Sequence, residues 1–142
     1  MVGVAGIVAA SVMTGSSAQA ASGGGCSSYT EGSTTRGTYV DIKTCISAPS
    51  RGVGRPDAYF TLRSGHPSCK ISIVVLRTGG SRVMSQKTHR CPSGGFRAKR
   101  FTAPDFRDST HQGGEAYATF TQLTWSNGTN TLPYRSPWLK LP

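Results

Sequence analysis

The chain has 142 residues and a formal net charge of +10, from 16 Lys and Arg against 6 Asp and Glu. Its length favours a single domain and argues against a two-domain enzyme with a separate cofactor-binding half. The 18 Gly and 8 Pro disfavour long helices, and no apolar run reaches the ~18 residues that a membrane-spanning helix needs.

The first twenty residues have the pattern of a secretory signal peptide. An apolar run at 2–13 is followed by the A-x-A sequence Ala18-Gln19-Ala20. No Lys or Arg precedes the run, which departs from the usual pattern, and the alternative is a short buried N-terminal helix. We expect a signal peptide at 1–20, secretion of the remainder, and a flexible Gly-rich leader at 21–37.

The region 38–126 is interpreted as one β domain. Its strand-like segments combine alternating or β-branched apolar residues with flanking turn signals. These segments are 39–46, 58–63, 69–77, 82–90, 96–102 and 115–125. The stretch 48–56 (APSRGVGRP) is interpreted as a loop. The pattern predicts an all-β fold, a small disulfide-stapled antiparallel sandwich or barrel of about six strands.

The four cysteines predict two disulfides, because an even number is typical of exported domains. The two strands that flank a Gly-Gly-Ser turn signal form a predicted hairpin. A hairpin centred on Gly80 places Cys69 and Cys91 opposite each other at its open end, within disulfide reach. Cys26 and Cys45 then pair by elimination and connect the leader to the first strand.

No pattern for a metal site or a cofactor stands out. The histidines His66, His89 and His111 have no ligand-like spacing to another His, Asp or Glu. The chain has no C-x-x-C pair for zinc and no G-x-S-x-G element for an activated serine. We therefore expect no metal, no cofactor and no catalytic site.

One short stretch carries a resemblance. Residues 114–120 (GEAYATF) resemble a segment near the end of bacterial guanyl-specific ribonucleases. In that family's motif the general-acid His directly precedes the Tyr, and here this position is Ala116. The resemblance implies a secreted hydrolase in which Glu115 is the base, His111 replaces the missing acid and Arg100 binds the phosphate.

The segment 96–102 is strongly basic and contains two phenylalanines. Arg97, Lys99 and Arg100 lie within it, and Arg107 follows in the next loop. Alternating basic and aromatic side chains could hold a phosphate backbone and stack bases. The alternatives are a solvated strand face beside a phenylalanine core, and docking to an acidic protein or wall polymer.

The C-terminal tail at 127–142 is expected to be extended, because it contains several prolines. It carries Tyr134, Arg135 and Trp138, which are the residue types most enriched at binding hot spots. The tail either adds to a sheet edge of this protein or docks in a partner's groove.

Two functions are compatible with these features. The first is a secreted, non-catalytic binding or adaptor protein, or an inhibitor-like subunit of a secreted assembly, that uses the basic segment and the tail. Its partner would be another secreted or cell-surface protein or an acidic polymer, with nucleic acid as a further candidate and no membrane. The alternative is a small ribonuclease-like hydrolase that acts on RNA or another polyanion.

Overall fold

The chain folds into two antiparallel β-sheets, which confirms the predicted all-β class. The computed structural model describes residues 21–28, 30–33, 39–79, 82–110, 113–131 and 133–142. The predicted signal peptide and His111 lie outside the described residues. In the described part of the chain, no helix is present that has the length and apolar character to span a membrane.

Twelve strands are present among the described residues. In chain order they are β1 (Ser22–Gly23), β2 (Gly25–Cys26), β3 (Thr30–Ser33), β4 (Tyr39–Ser50), β5 (Val53–Leu62), β6 (Cys69–Arg77), β7 (Val83–Arg90), β8 (Phe96–Thr102), β9 (Phe106–Arg107), β10 (Tyr117–Trp125), β11 (Tyr134–Arg135) and β12 (Leu139–Lys140). The six longest, β4 to β8 and β10, correspond to the six predicted strands.

Sheet 1 has the order β1-β12-β10-β6-β7, with β11 also paired to β10. Sheet 2 has the order β2-β4-β5-β8, with β3 paired to β4 and β9 paired to β5. The edge strands β7 and β8 lie on the same side of the sandwich. There His89 Nε2 donates to the carbonyl oxygen of Thr102 at 2.6 Å, and Ser85 Oγ donates to that of Pro104 at 2.6 Å.

The core lies between the sheets and follows the alternation of the strands. The apolar faces of β4, β5 and β10 lie inward, since Ile42, Phe60 and Leu123 are fully buried. Complete burial of each such side chain stabilises the fold by roughly 1.5–3 kcal/mol. In the middle of the core, Thr44 Oγ1 and Thr121 Oγ1 form a buried hydrogen bond of 2.6 Å between the two sheets.

The β6–β7 hairpin has the predicted register from Lys70 to Val75, and beyond this the register shifts between Val75 and Leu76. Lys70 lies opposite Arg90, and the Cys69–Cys91 disulfide closes the open end with a Cα–Cα distance of 5.2 Å. The backbone N–H of Cys91 also donates to the carbonyl oxygen of Cys69 at 2.9 Å. Gly80, the predicted centre of the turn, lies outside the described residues.

The leader is part of the sandwich where the structure describes it. β1 pairs with β12 in sheet 1 and β2 with β4 in sheet 2, where Cys26 lies directly opposite Cys45 and is bonded to it. The intervening glycines have positive φ, and a Cβ on Gly23 would overlap the carbonyl oxygen of Trp138. The glycines therefore let the chain cross sharply from one sheet to the other. The sequence composition predicted a flexible leader here, but the described part of it is ordered by strand pairing.

The predicted loop at 48–56 is wrong, because β4 and β5 continue into a tight hairpin. Gly52 takes the positive φ of 71° in its turn. Pro49 lies within a register shift of the β4–β5 pair, where strand hydrogen bonding is interrupted. Pro56 lies where β5 changes its partner from β9 to β8. Both prolines thus occupy places where a missing N–H costs little.

A bulge in β8 directs both of its phenylalanines toward the core, where Phe101 is buried and Phe96 is half-buried. Strict alternation would direct Phe96 and Phe101 to opposite faces. The register of β8 against β5 shifts between them, Ala98 has a φ of 47°, and its N–H donates to Thr61 Oγ1 at 2.9 Å. The two rings consequently lie on the same side, with centroids 6.0 Å apart.

Ala98→Gly should raise the free energy of unfolding by up to about 1 kcal/mol, because glycine adopts a positive φ without a Cβ clash. Ala98→Val should lower it by about 1–2 kcal/mol, because a β-branched residue is least tolerated at this φ. Urea denaturation measures the free energy of unfolding of both variants, and the comparison requires that their m-values are unchanged. A loss of stability in Ala98→Gly would contradict the strained bulge.

Replacing either cysteine pair by alanine should lower the free energy of unfolding by about 3 kcal/mol in the chain-entropy model. The two disulfides span sequence separations of 19 and 22, so each double variant serves as the size-matched control for the other. Guanidinium denaturation measures both losses. A loss below ~1 kcal/mol for one pair alone would show that its loop is already ordered in the unfolded chain.

Candidate functional site

The basic residues of β8 divide into two groups. Arg97 and Lys99 are exposed and form no ion pair or side-chain hydrogen bond within the described part of the chain. Arg100 instead donates from Nε to Asp57 Oδ2 at 2.9 Å. Lys99 lies opposite the buried Phe60, so it starts on the core-facing side of the edge strand and extends outward to solvent.

The phenylalanines of this segment do not form a stacking platform. Phe101 is 6% exposed and contacts Phe60 edge-to-face, with ring centroids 5.7 Å apart. It also contacts the His89 ring, and Phe96 packs against the same core cluster. The arrangement is therefore a solvated basic edge beside a phenylalanine core, which was one of the interpretations of the sequence.

The other edge strand has the same feature. Lys87 of β7 lies opposite the buried Ile73, is exposed, and has no ion pair within the described residues. We call Lys87, Arg97 and Lys99 the basic edge. Inward-facing lysines on edge strands also prevent edge-to-edge pairing with other chains, so a structural role accompanies any role in binding.

Arg107, which the sequence analysis grouped with β8, lies elsewhere, and two further arginines outside β8 have their own surroundings. Arg107 belongs to β9 and lies opposite Val53, near the β4–β5 turn. Arg82 donates to Thr110 Oγ1 at 2.7 Å, and Arg90 lies opposite Lys70 on sheet 1. The basic edge is accordingly smaller than the cluster expected from sequence proximity.

The C-terminal tail adds to this protein's own sheet, since β11 and β12 both pair with β10. Leu139 is buried beneath it, and Tyr134 packs against the core. Arg135 lies over the Trp138 ring at 4.9 Å, and this ring contacts Phe120. Of the three predicted binding residues, Arg135 is exposed, whereas Tyr134 and Trp138 are half-buried.

The residues of the hydrolase alternative are only partly brought together. Glu115 precedes β10 and acts electrostatically on Arg77, whose pKa is raised chiefly by its hydrogen bond to Asp108. Arg100 binds Asp57 on sheet 2 and has no recorded bond to Glu115. His111, the expected acid, lies outside the described residues.

The sequence interpretation missed a buried polar cluster around Asp108, whose side chain is 1% exposed. Its Oδ2 accepts hydrogen bonds from Tyr117 Oη at 2.7 Å and Arg77 Nη1 at 2.9 Å. Its Oδ1 accepts from the N–H and hydroxyl of Thr110 at 2.9 and 2.8 Å. The Asp-x-Thr spacing could have indicated the local turn, but the contacts to Arg77 and Tyr117 depend on the fold.

Opposing effects set the protonation of this cluster. Burial alone would raise the pKa of Asp108, but the hydrogen bonds from Tyr117, Arg77 and Thr110 outweigh it and hold this pKa well below its usual value. Burial and the same carboxylate raise the pKa of Tyr117 well above its usual value. The cluster is thus a stable carboxylate with fixed donors, which is a structural arrangement more than a proton-transfer site.

The described histidines have structural contacts. His89 joins the two edge strands, and the His66 ring nitrogens lie 2.8 Å from the Pro67 carbonyl oxygen and 2.9 Å from that of Gly94. Across the described ranges, no group of three or more His, Cys, Asp or Glu could hold a metal ion. The described histidines therefore act as connections between strands and loops.

Comparison with protein-family models finds no match, and no curated protein matches the chain. The two disulfides are typical of proteins that leave the cytoplasm.

Asp108→Asn should lower the free energy of unfolding by about 2 kcal/mol at pH 7, because it removes a charged acceptor from several donors. The folded-state pKa lies below the unfolded value of about 3.9, so the contribution is complete above roughly pH 5 and is lost as the pH falls. Urea denaturation between pH 2 and 7 should show the variant and natural protein converging in acid. The stability of Tyr117→Phe should also approach that of the natural protein in acid, but only partly. If the stability curves of Asp108→Asn and the natural protein stay parallel over this pH range, Asp108 is not the buried carboxylate that titrates.

Proposed function

We propose that this protein is a secreted, non-catalytic binding protein that docks an acidic partner on its basic edge. The observation that carries the proposal is the position of Lys87, Arg97 and Lys99. All three are exposed and lack an ion pair within the described residues, on the side of the sandwich where the edge strands meet. Such a surface attracts and orients anionic partners.

The distribution of acidic residues supports this surface. Asp57, Asp105 and Asp108 are each bonded to an arginine, which is Arg100, Arg55 and Arg77 respectively. Each of these carboxylates is therefore occupied by its own arginine, and Asp57 compensates Arg100 on the same strand as Lys99. No described carboxylate forms an ion pair with Lys87, Arg97 or Lys99, so these three cations keep their charge for a partner.

An acidic polymer fits this edge better than a nucleic acid read through its bases. Lysine is a flexible point charge that follows an irregular anionic chain, and two of the three cations are lysines. Phe101 is buried and Phe96 packs half-buried against the core, so the segment offers no row of exposed rings for stacking bases, and contact with RNA would rest on phosphates. The acidic surface of another secreted or cell-surface protein is the second partner class for the same edge.

One observation favours the hydrolase alternative. Glu115 lies near enough to Arg77 to raise the pKa of that guanidinium further, so a carboxylate and a cation do neighbour each other at the start of β10. Such a pair could serve acid–base chemistry on a phosphodiester if an acid joined it. Incubation with RNA tests both candidate functions, because binding leaves the RNA intact and hydrolysis shortens it.

The double variant Arg97→Gln with Lys99→Gln should weaken binding to poly-L-glutamate about tenfold at low salt, because two of the contacting charges are lost. Biolayer interferometry across a salt series measures the affinity, whose logarithm should also fall less steeply with salt. Arg51→Gln with Lys140→Gln is the matched control, since it removes one exposed arginine and one exposed lysine elsewhere.

The control pair should retain affinity within about threefold, and adding Lys87→Gln to the first pair should weaken binding further. If both double variants lose the same affinity for poly-L-glutamate, binding depends only on net charge, and the basic edge is not a defined binding surface. RNA cleavage that Glu115→Gln abolishes would replace binding by hydrolysis as the function. Size-exclusion chromatography checks that the variants, which have less protected edges, remain monodisperse.

A further inference from the structure

A cavity of about 450 Å³ opens at the end of sheet 1 where β6 begins and β7 and β10 end. The Cys69–Cys91 disulfide forms part of its wall. This volume lies in the range of sites that bind small molecules. Lys87, Arg97 and Lys99 do not line it, so it is separate from the basic edge.

Two uncompensated cations stand side by side in this cavity. Lys70 lies directly opposite Arg90 in the β6–β7 pair, and both line the cavity. On its other side, Lys70 neighbours the uncharged Thr124 of β10. Neither cation forms an ion pair within the described part of the chain. Like charges at directly opposite positions destabilise a strand pair, so an anion between them would relieve a repulsion built into the sheet.

Hydroxyl groups make up much of the rest of the lining. The hydroxyls of Ser68, Thr124 and Ser126 form no hydrogen bond with other described residues. Trp125 is 4% exposed and also lines the cavity. A ligand rich in oxygen atoms would bond to the three hydroxyls.

The walls are fixed before any ligand arrives. The N–H of Ser126 donates to the Ser68 carbonyl oxygen at 2.9 Å, and that of Trp125 donates to the Thr129 carbonyl oxygen at 2.9 Å. The disulfide holds the ends of β6 and β7 together on the other side. A rigid lining lowers the ordering cost of binding.

We propose that this cavity binds a single anionic sugar unit. Its acidic group lies between Lys70 and Arg90, and its hydroxyls bond to Ser68, Thr124 and Ser126. A carboxylate, an ester sulfate and a phosphate share the oxyanion chemistry that this cation pair recognises. The charge selects an acidic sugar over a neutral one, and the hydroxyl lining selects a sugar over an inorganic anion.

The test titrates the full protein with glucuronate, glucose 6-sulfate, glucose 6-phosphate, glucose and inorganic sulfate. Trp125 fluorescence reports binding in a Trp138→Phe background, since the chain has two tryptophans. At least one acidic sugar should bind tenfold or more tightly than glucose and inorganic sulfate, and Lys70→Gln should weaken it about tenfold. If glucose binds as tightly as the acidic sugars, the proposed role of the two cations is wrong. If inorganic sulfate binds as tightly, the proposed recognition of the sugar hydroxyls is wrong.

Thermal unfolding gives a second measurement. Without ligand, Lys70→Gln should raise the melting temperature because the repulsion with Arg90 is removed; with acidic sugar, the natural protein should gain more than the variant. Arg97→Gln with Lys99→Gln should keep its sugar affinity, which separates this site from the basic edge. Loss of sugar binding in that pair, or no binding by the natural protein to any acidic sugar, would overturn the proposal.

Discussion

The register of the β6–β7 hairpin is the constraint on which the rest of the structure depends. Because Cys69 bonds to Cys91, the residues from Lys70 to Val75 have fixed partners and fixed faces, and the register shifts only beyond them, between Val75 and Leu76. The same register sets Lys70 opposite Arg90 at the cavity and turns His89 inward to reach β8. A slip of one residue would exchange the inward and outward faces of β7 and break these relations together.

In sheet 2, by contrast, the important feature is an interruption of the register between two strands. In β8, one bulge at Ala98 lets Phe96 and Phe101 share the core and leaves four consecutive exposed residues between them. Three of these four are basic. The bulge therefore lets both phenylalanines face inward beside these cations, because uninterrupted alternation would have directed one phenylalanine to the outer face.

Features with a short-range pattern could be predicted from the sequence. The period of two in β4, β5 and β10 determined their inward faces, and the symmetry of cysteines about Gly80 determined one disulfide. The loop prediction at 48–56 failed because Pro49 and Pro56 were judged by residue type, whereas their tolerance depends on where neighbouring strands begin and end.

The candidate sites depend more strongly on distant contacts. The Asp108 cluster joins residues from three segments, and the cavity joins the ends of three strands. The spacing of residues along the chain predicts neither the full Asp108 cluster nor the cavity. Likewise, the separation of Arg97 and Lys99 from Arg100 follows from the position of Asp57 on the neighbouring strand, which sequence proximity does not indicate.

The pairing of β1 with β12 imposes an order on folding. Ser22 is held opposite Lys140, so this strand has no partner until nearly the whole described chain has been synthesised. Sheet 1 can then be completed only after translation has passed β12, and pairing at such a separation is intrinsically slow. A chain that cannot finish its own sheet early stays open longer, which is the condition that an export pathway for unfolded chains requires.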